Sequence, residues 1–98
     1  MASNYFLYVL LCENNHLYTG ITTDIEKRYQ AHCNGTAAKY TRSFKPIKIL
    51  HHWRIGEDRG LAQKLEYQLK QRSSQEKKRI INSIRDTGKL VQYLLEGS

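Results

Sequence analysis

Two short apolar runs, Tyr5 to Leu11 and Leu17 to Thr22, flank Glu13-Asn14-Asn15-His16, and this spacing constrains the chain more than any other feature. Asparagine tolerates positive φ, so two β-rich runs around an Asn-Asn tract read as a hairpin. An odd-numbered loop puts same-parity residues of both strands on one face. The odd face is then Leu7, Val9, Leu11, Leu17, Thr19 and Ile21, almost wholly aliphatic. The even face is Tyr8, Leu10, Cys12, Tyr18, Gly20 and Thr22. A two-residue loop would mix the two sets, so the odd loop is expected. Two tyrosines then project from one face around the small residue Gly20.

The remaining elements follow from caps and periodicity. Thr23-Asp24-Ile25-Glu26 fits a capping box, with a helix to about Asn34 and Gly35 as its left-handed stop. Thr36 to Pro46 reads as a polar, basic loop. Ile47 to Ile55 alternates, with Ile47, Ile49, His51, Trp53 and Ile55 on one face and Lys48, Leu50, His52 and Arg54 on the other. Asp58 can cap a second helix with an apolar stripe of Leu61, Ala62, Leu65 and Leu69. Ser73-Ser74-Gln75-Glu76 is a further capping box, opening a helix with Ile80, Ile81 and Ile84 inward and Gly88 as its stop. Leu90 to Leu95 is apolar enough to pack back in no assigned conformation. The order is ββαβαα, a small α+β domain in which helices cover a three-stranded sheet. No repeat, linker or low-complexity tract divides it, so residues 1–98 are expected to form one domain.

Composition narrows the functional class. With 40% apolar and 26% charged residues the chain is neither disordered nor membrane-spanning in character. Met1 to Leu11 has no basic n-region or small-residue cleavage site, so no secretory signal is expected. Cys12 and Cys33 lack CxxC spacing, which argues against zinc and for a reduced, cytoplasmic pair. The net charge of +7 is segregated. Lys27, Arg28, Lys39, Arg42, Lys45, Lys48 and Arg54 fall in a stretch with no Asp or Glu, leaving nine basic and nine acidic residues elsewhere. A concentrated basic region attracts polyanions, so nucleic acid is the expected partner, with no role for a membrane.

Arg28 and His32 stand one helical turn apart, flanking the stripe of Ile25, Tyr29 and Cys33. The short link to the second strand lets Tyr8, Tyr18, Arg28 and His32 share a pocket. Glu66 falls just outside the apolar arc of its helix, where it can hold a divalent cation or simply pair with Lys70 at i+4. Tyr40, amid Lys39, Arg42 and Lys45, can stack on a base or pack its loop. His51 and His52 are neighbours on a strand and point to opposite faces. Trp53 lies on the apolar parity and is expected in the core.

Phe6-Leu7-Tyr8, then Tyr18-Thr19-Gly20 after a hairpin turn, then Arg28 and His32, then a distant helical Glu66, together resemble the GIY-YIG nuclease superfamily. The similarity is greatest to its small, stand-alone bacterial branch, and covers roughly residues 5–79, with 89–98 as a tail. Ala38-Lys39-Tyr40-Thr41 also resembles that branch. Order and spacing together carry the resemblance. The first motif lacks Gly-Ile, and the second has Thr19 in place of isoleucine. The asparagine that several members place a dozen or so residues after the glutamate is absent. Lys77-Lys78-Arg79-Ile80-Ile81 occupies that region, so either Asn82 takes the contact or it is missing.

The resemblance implies a three-stranded antiparallel sheet and hydrolysis of nucleic-acid phosphodiesters at one Mg²⁺ or Mn²⁺. Tyr8 or Tyr18 would deprotonate the attacking water, helped by a nearby cation. Arg28 would stabilise charge on the phosphoryl oxygens. His32 would donate to phosphate or orient the water. Glu66 would be the sole protein ligand of the metal. Lys27, Lys39, Tyr40, Arg42 and Lys45 are the expected nucleic-acid contacts. DNA is expected ahead of RNA, cut according to structure or with low sequence specificity, in repair or recombination. With no appended specificity domain, sequence-specific cutting would need a protein partner or a homodimer. The alternative is a nucleic-acid-binding module of a repair complex with little catalysis.

Overall fold

The computed structural model describes residues 3–96. The hairpin is formed by β1 (Tyr5–Cys12) and β2 (Leu17–Thr22), joined through a 3₁₀ turn at Glu13–Asn15. Asn14 and Asn15 both adopt positive φ, at 65° and 62°, the conformation for which asparagine is suited. Leu11 pairs with Leu17 and Phe6 with Thr22, so the loop is odd and same-parity residues share a face. Helix α1 (Ile25–Cys33) and the short helix α2 (Lys39–Ser43) precede β3 (Pro46–Gly56). Three helices follow: α3 (Arg59–Lys70), α4 (Ser74–Ser83) and α5 (Thr87–Glu96). The sheet is antiparallel in the order β2-β1-β3, which places the tyrosine-bearing strand β1 at its centre.

Each face of the sheet has its own cover. Leu7, Val9, Leu17 and Trp53 pack with Leu65, Leu69, Ile80, Ile81, Leu90 and Leu94 from α3, α4 and α5. Tyr8, Leu10 and Cys12 pack on the opposite side with Ile25, Tyr29, Tyr40 and Phe44 from α1, α2 and the residue after it. The sheet is thus the middle of three layers, and the even-numbered hairpin face looks toward α1 and α2. Trp53 is buried as expected, its indole N–H donating to the Ile84 carbonyl at 2.9 Å.

Several local expectations are corrected. Asp24, not Thr23, caps α1: its carboxylate accepts from the Lys27 amide at 3.1 Å. The Thr22 hydroxyl accepts from the Asp24 amide at 3.1 Å, which turns the chain one residue later than the capping-box pattern implies. Residues 39–43, read as loop, form α2, because Tyr40, Thr41 and Phe44 turn inward against the even face. The β3 register shifts between Val9–His51 and Leu10–Ile49, leaving Leu50 as an extra residue. Ile49 consequently joins the Tyr8 side and Leu50 the opposite core, against simple alternation. Gly88 does not stop α4, which ends at Ser83 with Ile84 extended. It lies in the first turn of α5, where the Asp86 carboxylate accepts from the Lys89 amide at 3.0 Å. The segment Leu90–Leu95 is therefore helical. No helix among the described residues is long and apolar enough to cross a membrane.

Candidate active site

Strand β1 places Tyr8 opposite Gly20 of β2. A Cβ at Gly20 would lie 2.5 Å from the Tyr8 oxygen, so only glycine leaves room for this phenol. Tyr8 is 4% exposed, and its hydroxyl lies 2.8 Å from Nε2 of His32, which α1 carries in its last turn. The His32 ring is 1% exposed, and its Nδ1 lies 2.7 Å from the hydroxyl of Thr41 on α2.

One tautomer of His32 satisfies all of these bonds. In it the Thr41 hydroxyl donates to the Ala38 carbonyl at 3.3 Å and accepts from Nδ1–H of His32. Nε2 then carries the lone pair and accepts from Tyr8 O–H. Burial, then the charge of Arg28, lower the His32 pKa and keep the imidazole neutral. The Tyr8 pKa is raised well above the ordinary phenol value, by burial first and then by Tyr18, with Glu66 adding and Arg28 opposing. Tyr8 therefore stands within the fields of both Arg28 and Glu66.

Tyr18, half-buried, completes the ring cluster, 4.9 Å from His32 and 6.4 Å from Tyr8 between centroids. Arg28 is exposed on α1 and lines a cavity of about 270 Å³ with Thr22, Thr23, Asp24, Lys27 and Ala31. Glu66 arrives from the opposite layer, on α3, which packs against β2. Its side chain is 23% exposed and pairs with Lys70 at 3.3 Å. The Lys70 ammonium in turn lies 5.9 Å from the centre of the Tyr18 ring. The Glu66–Lys70 pair thus lies on the Tyr18 side of α3, near the β2 edge of the sheet. A larger cleft of about 580 Å³, lined by Asp24, Glu26, Lys27, Tyr29, Gln30 and Ile49, holds none of Tyr8, Tyr18, His32 and Glu66.

His32 is buried, with its two ring nitrogens within hydrogen-bond distance of Tyr8 and Thr41. Asn82 is exposed on α4 and lines a cavity with Leu11, Asn15, Lys48, Leu50, Lys78 and Ile81, none of them a site residue. Lys27, Lys39, Arg42 and Lys45 are exposed around α1 and α2, with the Arg42 stem lying over Gly35, and Tyr40 is half-buried beside Tyr18 at 5.9 Å. His51 abuts Trp53 at 4.6 Å, while exposed His52 meets Phe6 at 5.9 Å.

Sequence reasoning missed two residues. Thr41 stood only within Ala38-Lys39-Tyr40-Thr41, with no role assigned, since a threonine in a basic loop looks solvated. Lys77 was legible: it lies on the α4 stripe with Ile80, Ile81 and Ile84, where a lysine is anomalous. Its pKa is lowered by burial first and by the Lys70 charge second.

The family model for the GIY-YIG catalytic domain matches residues 4–79. A UPF0213 protein of Cupriavidus necator is 43% identical over 76 residues, which are 78% of this chain and 82% of that protein. The UPF0213 protein YhbQ of Escherichia coli is 42% identical over 77 residues, 79% of this chain and 76% of its own. Among solved structures, the solution structure of the UPF0213 protein BH0048 from Bacillus halodurans aligns with a TM-score of 0.54 at 30% identity. The alignment covers 93% of this chain and 96% of that one. Its α+β fold agrees with the three-stranded antiparallel sheet described above. The motif-bearing hairpin, the helix behind it and the glutamate helix all lie within the matched span, and the chain belongs to the GIY-YIG nuclease family.

Proposed function

We propose that this protein is a metal-dependent endonuclease that hydrolyses phosphodiester bonds in DNA, directed by structure more than by sequence, in repair or recombination. It would act in the cytoplasm, where its free cysteines Cys12 and Cys33 stay reduced. One observation carries the reading: the buried Tyr8 hydroxyl lies 2.8 Å from Nε2 of His32, and its acidity responds to both Arg28 and Glu66.

Tyr8 serves as the base in this reading. As an attacking water gives its proton to the Tyr8 oxygen, the Tyr8 proton passes to Nε2 of His32, so no free phenolate accumulates. His32 acts through Tyr8 and is a positioning residue, held in its tautomer by Thr41. Arg28, exposed on α1, would stabilise charge developing on the phosphoryl oxygens. Glu66 would hold a hard divalent cation through its one carboxylate, 23% exposed, with waters and phosphate oxygens completing the shell. Such a cation would supply Lewis-acid stabilisation of the phosphoryl group. Lys70 is the group that would yield the carboxylate to it.

A second reading, a binding module with little catalysis, is favoured by α4, whose Asn82 lines a separate cavity with Leu11, Lys48 and Leu50. Incubation with supercoiled and branched DNA, with and without Mg²⁺ or Mn²⁺, separates the two. We expect metal-dependent nicking that is lost, by about a hundredfold or more, in Arg28→Ala and Glu66→Ala. DNA affinity persists in Glu66→Ala. Wild type and both variants behaving alike would leave only the binding module.

A further inference from the structure

Six rings run in contact from the buried pair at β1 out to solvent. Tyr8 and His32 meet Tyr18, Tyr18 meets Tyr40 at 5.9 Å, and Tyr40 meets Phe44 at 5.4 Å. His16 closes the row, stacked on Phe44 at 4.8 Å with 22° between planes and 5.9 Å from Tyr40. The inner rings are core. The outer end is only partly so: Tyr40 and Phe44 pack against the Tyr8 cluster yet stay half-buried, and His16 is exposed, stacked on Phe44.

That end is also held rigid. The Glu13 amide donates to the Lys45 carbonyl at 2.9 Å, and the Lys45 amide donates to the Glu13 carboxylate at 2.9 Å. These two bonds fix the turn that carries His16 against the segment that carries Phe44, so stacking on the platform costs little ordering. Lys39, Arg42 and Lys45 stand exposed on the same segment, and none forms an ion pair among the described residues. Rings interleaved with unpaired cations suit a nucleotide strand, with bases on the rings and phosphates on the cations. A base inside a duplex is already stacked on both sides and cannot use such a surface.

We propose that His16, Phe44 and Tyr40 form a stacking site for an unpaired base, so that the substrate carries a single-stranded segment next to the scissile phosphate. The proposal rests on the nucleic-acid reading above, and adds the polymer state it acts upon. Continuity of the ring row with Tyr8 fixes the direction: the strand runs from the hairpin turn toward the Tyr8–His32 pair.

The test is fluorescence anisotropy in EDTA with matched 20-mers, single-stranded DNA, single-stranded RNA and blunt duplex, each carrying one 2-aminopurine. We expect the single strand to bind about tenfold more tightly than the duplex, with the 2-aminopurine quenched by stacking. His16→Ala, at an exposed position, and Phe44→Leu, which keeps apolar volume, should each lose most of that preference and the quenching. Both should retain duplex affinity and wild-type circular dichroism. Quenching of DNA and RNA alike, or of one alone, sustains the site and reports its sugar preference. Equal affinity for single strand and duplex, or variants that keep preference and quenching, overturns the stacking site. Quenched strands that are never nicked when metal is restored would remove the hydrolytic reading and leave the stacking site standing. Normal nicking of duplex with no quenching would do the reverse.

Discussion

Gly20 and Tyr8 show how one missing side chain fixes the position of another. Placing a methyl group 2.5 Å from the phenol oxygen forces Tyr8 to move, and the 2.8 Å bond to His32 cannot survive the displacement. Gly20→Ala should destabilise the fold by about 1–3 kcal/mol, as overpacking does. It should cut the nicking rate far more than that, while DNA affinity holds; an unchanged rate would show that the Tyr8–His32 bond is dispensable. The next link outward is Thr41, fully buried, and the acceptor for Nδ1–H. Thr41→Val removes that acceptor, leaves a buried donor unpaired, and should cost about 1–3 kcal/mol in urea denaturation. The His32 pKa lies below its ordinary value of 6.5, so the fold favours the neutral ring. That stabilisation is complete above 6.5 and is lost as pH falls through the depressed folded pKa, and His51 shifts in the same sense. Tm should therefore fall between pH 7 and pH 5. Nicking should fall with it, since an imidazolium cannot accept the Tyr8 proton. A flat or rising acid limb in both would refute the assigned tautomer.

At the scale of elements, what could be read in advance was whatever short-range chemistry decides. The hairpin parity followed from aliphatic alternation, and the caps at Asp58 and Ser73 from side chains that accept amide protons three residues on, as observed at 3.0 and 3.1 Å. Tertiary competition hid the rest. Helix α2 has no capping side chain and five residues, and it forms because Tyr40, Thr41 and Phe44 find the sheet. The extra Leu50 is invisible to a period-two pattern, since His51, Leu50 and Ile49 are each compatible with a strand and only pairing with β1 reveals the bulge. The cap of α1 illustrates a contest between neighbours. Thr23 and Asp24 both suit an N-cap, and Thr22 decides it by accepting the Asp24 amide. Asp24→Ala should therefore cost about 1 kcal/mol and Thr23→Ala close to nothing, measured by urea denaturation. Equal losses would restore the capping box. The candidate site was legible to a similar degree. Tyr8, Tyr18, Arg28, His32 and Glu66 were named from their order, but the proton assignment depends on Thr41, which only α2 could supply.

Across the whole molecule, cations stand in both layers. Lys27, Arg28, Lys39 and Arg42 of the basic stretch lie on α1 and α2, on the side of the sheet that Tyr8 faces, while Lys48 lines a cavity with Leu50, Lys78 and Ile81 of the opposite layer. Helices α3 and α4 add cations of their own in that opposite layer, and these differ in energetic character. Lys77 shares the apolar stripe of α4, is half-buried, lies near Lys70, and has no ion-pair partner among the described residues. A half-buried ammonium beside another ammonium opposes folding, because desolvation and like charge act together. An anion placed between them would relieve both effects, and a backbone phosphate entering beside Glu66 and Tyr18 is such an anion. Stability and binding therefore respond to this residue with opposite signs. Lys77→Met keeps the apolar stem and removes the charge, so it should raise Tm. It should also weaken DNA binding and reduce the slope of log K against log salt by about one, since one phosphate contact is lost. A matched loss at an exposed cation such as Lys39 would reduce the slope equally and leave Tm unchanged. If Lys77→Met lowered Tm, or left the salt slope untouched, the ammonium would be a snorkelling solvent group, and the second layer would contribute only Glu66 to the site.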